Sequence, residues 1–111
     1  MAELKTAFWV SALIRRAEIG GAFALVARKG DADAGAVLLR VRVSAEEARL
    51  WGPARNARGQ RIYLDLSTGP LGCDPQKIDD YVARRCGQDP DLWVVEIDDA
   101  NGRHFLTEHI D

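Results

Sequence analysis

The chain has 111 residues, 47% of them hydrophobic and 29% charged, the proportions of a soluble globular protein with a single domain over 1–111. A chain this long buries roughly two-thirds of its unfolded surface. Its 15 Lys and Arg against 17 Asp and Glu leave a net charge of -2, which gives no overall electrostatic case for nucleic acid or a membrane surface, and no apolar run is long enough to span a bilayer.

Glu3 and Lys5 precede a short apolar segment with Arg15-Arg16 behind it, which is not the layout of a signal peptide. A cytoplasmic protein is expected, with Cys73 and Cys86 reduced. The basic residues are twelve arginines and only three lysines, a bias toward bidentate carboxylate or phosphate contacts.

Thr6 to Ile19 reads as a helix, capped by Thr6 and stopped by Gly20-Gly21. Projected at 100° per residue, Trp9, Val10, Leu13, Ile14 and Ala17 share an apolar face that Phe8 and Ala12 widen. Arg16 falls at the edge of that face and needs either water or a carboxylate such as Glu96 or Asp98. Two apolar runs follow, Ala22–Arg28 and Ala36–Val43, joined across Lys29–Gly35. They read as the central hairpin of a sheet. The second run alternates Val37, Leu39, Val41 and Val43 with Leu38, Arg40 and Arg42, the period of a strand buried on one side. The first is apolar on both faces, which suits an interior strand.

Ala48–Gly52 is a short strand ended by Gly52-Pro53, and Pro53–Gly59 a loop carrying Arg55 and Arg58. Gln60–Leu66 alternates Ile62, Leu64 and Leu66 with Arg61, Tyr63 and Asp65. Asp74 and Pro75 open a second helix with Ile78, Tyr81, Val82 and Cys86 on its apolar stripe and Gly87 at its close. Leu92–Asp98 is a strand, Asn101-Gly102 a hairpin turn, and Arg103–Leu106 the returning strand. The order is α-β-β-β-β-α-β-β. Short links imply an α+β fold, a mostly antiparallel sheet of five to six strands with two helices packed on one face.

If Val37, Leu39 and Val41 pack under the helices together with Ile62, Leu64 and Leu66, the opposite face presents Arg40, Arg42, Arg61 and Tyr63. Arg49 and Trp51 would join them. Guanidinium groups interleaved with aromatic rings suit single-stranded nucleic acid or a protein partner. The plainer reading is a ladder of cross-strand charge pairs answered by Asp65, Glu96 and Asp98, and the net charge makes nucleic acid the lesser expectation.

Asp31 and Asp33 have the spacing of a cation-holding loop, but such pairs more often bond nearby amides. Cys73, Cys86, His104 and His109 lack the close ligand pairs of a zinc site. No nucleophile has an adjacent base, and no phosphate loop or His-Glu-x-x-His motif is present. Neither metal nor cofactor is expected.

Five segments in order carry a resemblance: Trp9-Val10-x-Ala12-x-x-Arg15-Arg16, Arg28–Val37, Leu50-x-Gly52-Pro53-Ala54-Arg55, Asp89–Glu96 and Gly102–Leu106. Together they resemble a small bacterial domain-of-unknown-function family, number 1491 in that series. The resemblance implies a compact cytoplasmic protein of one domain and carries over no activity and no functional residues.

Two function classes follow. The first is a non-enzymatic binding or protein-interaction module, working through the arginine and aromatic face or the loops Lys29–Gly35 and Pro53–Gly59, or forming a homodimer. The second is an enzyme or regulator that clamps an anion with Arg28, Arg55 and Arg58. A concave pocket with converging polar groups would separate the second from a flat, wet face.

Overall fold

The computed structural model describes residues 4–108 and 110. Helix α1 spans Thr6–Ile19, strands β1 to β4 span Phe23–Arg28, Val37–Arg42, Ala48–Arg55 and Arg61–Asp65, helix α2 spans Pro75–Gln88, and β5 spans Trp93–Asp98. A 3-10 turn over Leu66–Thr68 follows β4. The strands form one sheet in the order β1-β5-β2-β3-β4. Three of its four pairings are antiparallel, and β2 with β5 is parallel. The fold is the α+β class that the pattern predicts.

The ends of the helices follow their local chemistry. At the end of α1 the amide of Ala22 donates to Ala17 O and that of Gly21 to Glu18 O, the reciprocal pair that closes a helix when the residue after the cap turns left-handed. Gly21 has φ 88°. At the start of α2 Asp74 accepts from the Gln76 amide, and Pro75 stands at the first position. Thr6 is not the cap of α1. Its hydroxyl donates to Gly35 O, and the first amides of the helix are taken by Asp33 O and Ala32 O.

The expected central hairpin is split. β5 lies between β1 and β2, and the loop from Lys29 to Gly35 crosses over its start. The Asp31 amide donates to Asp91 O, the Trp93 amide to Ala36 O, and the Trp93 indole to Asp31 O. A Cβ on Gly30 or Gly35 would overlap the Asp91 carbonyl, so the loop lies flat on that strand only because both positions are glycine. β5 is therefore the interior strand, with Trp93, Val94, Val95 and Ile97 all buried, whereas β1 is an edge. Arg103–Leu106 forms no strand, because β1 and β2 already occupy both sides of β5.

The helices cover opposite faces of the sheet rather than one. Val10, Leu13 and Ala17 of α1 pack with Val37, Leu39, Val41, Val95 and Ile97. Ile78 and Val82 of α2 pack with Leu38, Ala48, Leu50 and Val94. With apolar side chains required on both faces, alternation along one strand could not say which face belonged to which helix. The register decides it, pairing Leu39 with Trp51 and Trp51 with Asp65. Tyr63 thus shares the α1 face with Val37, while Leu66 packs on the α2 side. β3 runs on through Gly52 and Pro53 to Arg55. Its pairing with β2 stops at Trp51, so Pro53, which has no amide to donate, stands where that side of the strand is free.

Candidate cleft beside helix α1

The six side chains expected on one face, with Arg55 and Arg58 of the loop Pro53–Gly59, fall into four places. Arg40 and Arg42 lie on the α2 face. Arg40 reaches Asp79 of α2 and Glu96 of β5, the latter at 2.6 Å. Arg49 and Trp51 lie on the α1 face in a second cluster. There Arg49 meets Glu47 at 2.9 Å and Asp65 at 3.6 Å, and Trp51 stands edge-on to His104 with ring centres 4.6 Å apart. The Trp51 indole N–H is buried without an acceptor among the described residues. Arg58 stands on the turn between β3 and β4, where Asn56 accepts its amide. Arg55, Arg61 and Tyr63 come together at the turn end of the β3–β4 hairpin. No single face of arginines and aromatic rings forms.

The last three residues line a cleft of about 740 Å³, bounded also by Leu4, Thr6 and Trp9 of the α1 end, by Asp33 to Val37, and by Glu108. The Trp9 and Tyr63 rings stack nearly parallel in its wall, 5.8 Å between centres and 6° between planes. The Trp9 indole donates to Glu108 Oε2 at 2.6 Å. Tyr63 is 8% exposed, and burial holds its phenol well above the ordinary value of 10. It therefore stays protonated at neutral pH. Arg55 and Arg61 are direct cross-strand partners, so two guanidinium groups stand at one end of the cleft. Arg55 also donates to Gly59 O. Beyond the cleft, Ile110 forms a parallel bridge with Tyr63, so the outer edge of β4 already receives an extended segment.

Trp9, Thr6 and Glu108 are lining residues with polar groups that the sequence does not point to as a site. Trp9 reads as core on a helical projection. Its one signal is the polar indole N–H on a half-buried ring, which needs an acceptor.

The remaining candidates resolve locally. Asp31 Oδ2 accepts the amides of Asp33 and Ala34, so this carboxylate stabilises its own turn. Cys73 and Cys86 are free thiols, His104 accepts the Leu106 amide through Nδ1, and His109 lies outside the described residues. Among the described residues no three His, Cys, Asp or Glu side chains converge as a metal site requires. Arg16 finds a backbone oxygen rather than Glu96 or Asp98, donating from Nε to Phe105 O at 3.0 Å. Arg28 bonds the carbonyls of Asp89 and Leu92. Among the described residues no helix is long and apolar enough to cross a membrane.

A mixed five-stranded sheet with one helix on each face, and a cleft near the turn end of its outer hairpin, defines a small α+β protein. The chain belongs to the DUF1491 family, a family of proteins of unknown function, whose model matches residues 4–107. Among solved structures it is similar to a DUF1491 protein from Caulobacter crescentus CB15 seen in a crystal, at 50% identity and TM-score 0.88, over 98% of this chain and 100% of that one. It is also similar to a DUF1491 protein from the same organism solved by NMR, at 47% identity and TM-score 0.87, over 100% and 99%. The solution structure of a protein from A. tumefaciens is similar at 33% identity and TM-score 0.78, over 99% and 98%. No curated protein matches the chain.

Proposed function

We propose that this protein is a non-enzymatic interaction module that holds an extended segment of a partner protein in the cleft beside α1. The cleft itself carries the reading. Its volume, about 740 Å³, lies in the range of sites that enclose a ligand. Its wall offers the stacked faces of Trp9 and Tyr63, rigid apolar surfaces that cost little entropy to use. The bridge between Tyr63 and Ile110 already fills the outer edge of β4 at this point, so the segment is held by side-chain contacts within the cleft rather than by pairing with that edge. Arg55, which lines the cleft, favours a segment with a carboxylate near an apolar side chain. The free thiols of Cys73 and Cys86 fit a reducing cytoplasm, and the cytoplasm is where we propose the module works.

A second reading, a regulator that binds a small anionic molecule, draws on the same arginine and the same concave site. Both readings meet in one experiment. Random peptides displayed on phage are selected on the protein, and enriched peptides, together with inorganic phosphate and a nucleotide, are titrated against the fluorescence of the Trp9-only variant (Trp51→Phe, Trp93→Phe). The module predicts enriched apolar peptides with an acidic residue, whose binding weakens at least tenfold in Arg55→Glu or Tyr63→Ala. Saturable binding of phosphate or nucleotide with no peptide enriched favours the regulator. Failure of both, with the variant folded, overturns the assignment of the cleft.

A further inference from the structure

We propose that the outer edge of β1 is a self-association surface, where a second copy of this chain adds its own β1 in antiparallel pairing about a two-fold axis. The inference does not rest on the cleft, which lies toward the other end of the sheet. Four of the six exposed large apolar side chains among the described residues lie here, Leu4 and Phe8 being elsewhere. Phe23, Leu25 and Val26 are 62%, 40% and 39% exposed, and Ile19, just before the strand, is 74% exposed. Sheet edges are normally guarded by a charge, a proline or a covering segment. The β4 edge has such cover in Ile110 and carries Arg61 and Asp65. Phe23–Ala27 has no charged residue and no proline, and β1 pairs with β5 alone.

Two features select a second copy over an unrelated strand. First, the exposed side chains lie on both faces of the edge. Phe23 and Leu25 project to the α2 side, opposite Asp98 and Glu96, and Val26 projects to the α1 side, opposite Val95. A copy of β1 brings apolar groups to both faces at once. With Ala24 on the axis, Phe23 of each copy meets Leu25 of the other, and the small Ala24 side chains meet at the centre. This register uses only the regular part of the strand, before the bulge between Val26 and Arg28. Second, the charges flanking the strand are complementary end to end. Exposed Lys29 follows β1, while exposed Glu18 precedes it. Antiparallel pairing sets each copy's Lys29 toward the other's Glu18.

So short a pairing buries less than the standard interface of about 1,600 Å², so the association depends on concentration. Sedimentation equilibrium of the full chain from micromolar to millimolar concentration reads it directly. The expected result is a mass rising from one copy toward two, lost in Leu25→Lys and in Phe23→Glu while circular dichroism and Tm stay those of the parent. A mixed sample of labelled and unlabelled protein is expected to give intermolecular contacts between the Phe23 ring and the Leu25 methyls. A protein monomeric at millimolar concentration overturns the proposal. So does a dimer that survives Leu25→Lys, which puts the contact elsewhere. A monomer whose β1 amides shift only with a selected peptide overturns it in favour of a foreign strand.

Discussion

Arg40 is 17% exposed between Asp79 of α2 and Glu96 of β5, and it ties the second helix to the centre of the sheet. Its Nε is buried with no acceptor among the described residues, so the guanidinium is held by its two carboxylates rather than fully satisfied. Removing it leaves both acids facing each other with reduced access to water, and breaking a buried ion pair is costlier than replacing it whole. Arg40→Ala is expected to lose roughly 2–3 kcal/mol in urea unfolding, below the fully buried case because Asp79 is partly solvated. Arg40→Met with Asp79→Leu and Glu96→Leu should recover most of that loss. A single variant as stable as the parent would show the network to be idle. The arginines also mark where residue-level reading stopped. An arginine excess was visible, but the acceptors of Arg16 and Arg28 are backbone carbonyls of Phe105, Asp89 and Leu92. Such acceptors have no sequence signature, so Arg16 reads as needing water or a carboxylate and Arg28 as a clamp for an anion.

At the scale of elements, the strongest signals were the punctuation marks. Gly20-Gly21 and Asp74-Pro75 bound their helices as the residue chemistry requires. Two glycines test this with opposite signs. Gly21 at φ 88° has open space around a Cβ, so its cost on substitution is purely conformational, about 1 kcal/mol for Gly21→Ala. Gly87 reads as the stop of α2, yet the helix runs through it to Gln88. Its Cβ position is equally open, so Gly87→Ala is expected to stabilise by roughly 0.5–1 kcal/mol. Thermal unfolding of the pair decides it, and equal effects would refute the backbone argument. The strands were legible as strands, because alternation and β-branched runs report local geometry. Their partners were not. Nothing within Phe23–Arg42 announces that a strand seventy residues from Phe23 will lie between its two halves. Only Gly30 and Gly35, pressed on Asp91, carry a trace of it.

For the whole molecule, sheet order also explains why the candidate site was half legible. Arg55, Arg61 and Tyr63 were singled out for their chemistry, but their face depended on a register that the sequence does not encode locally. Trp9 joined them only because α1 crosses that face. The same assembly bounds stability at both ends of the pH scale. Burial depresses the His104 pKa below its ordinary 6.5 against a weaker opposing pull from Asp65, and Nδ1 accepts the Leu106 amide only as the neutral ring. The unfolded chain therefore binds the extra proton first, and stability falls as pH drops below about 6.5 until the folded ring also titrates. Asp99, 9% exposed and bonded by Arg103, is held below its ordinary 3.8, so its contribution is present above that value and is lost at lower pH. Tyr63 acts at the other end. Its phenol is raised above 10 chiefly by burial, so above pH 10 the unfolded chain loses the proton first and stability falls again. Tyr63→Phe removes that ionisation and keeps the ring stacked on Trp9, at the loss of one long hydrogen bond to Val37 O, 3.4 Å. The variant is therefore expected to be slightly less stable than the parent at pH 7 and to lose less stability between pH 9 and 11, measured by urea unfolding at each pH. An unchanged alkaline slope would mean that the phenol reaches water when folded, and that the wall of the cleft is more open than its packing indicates.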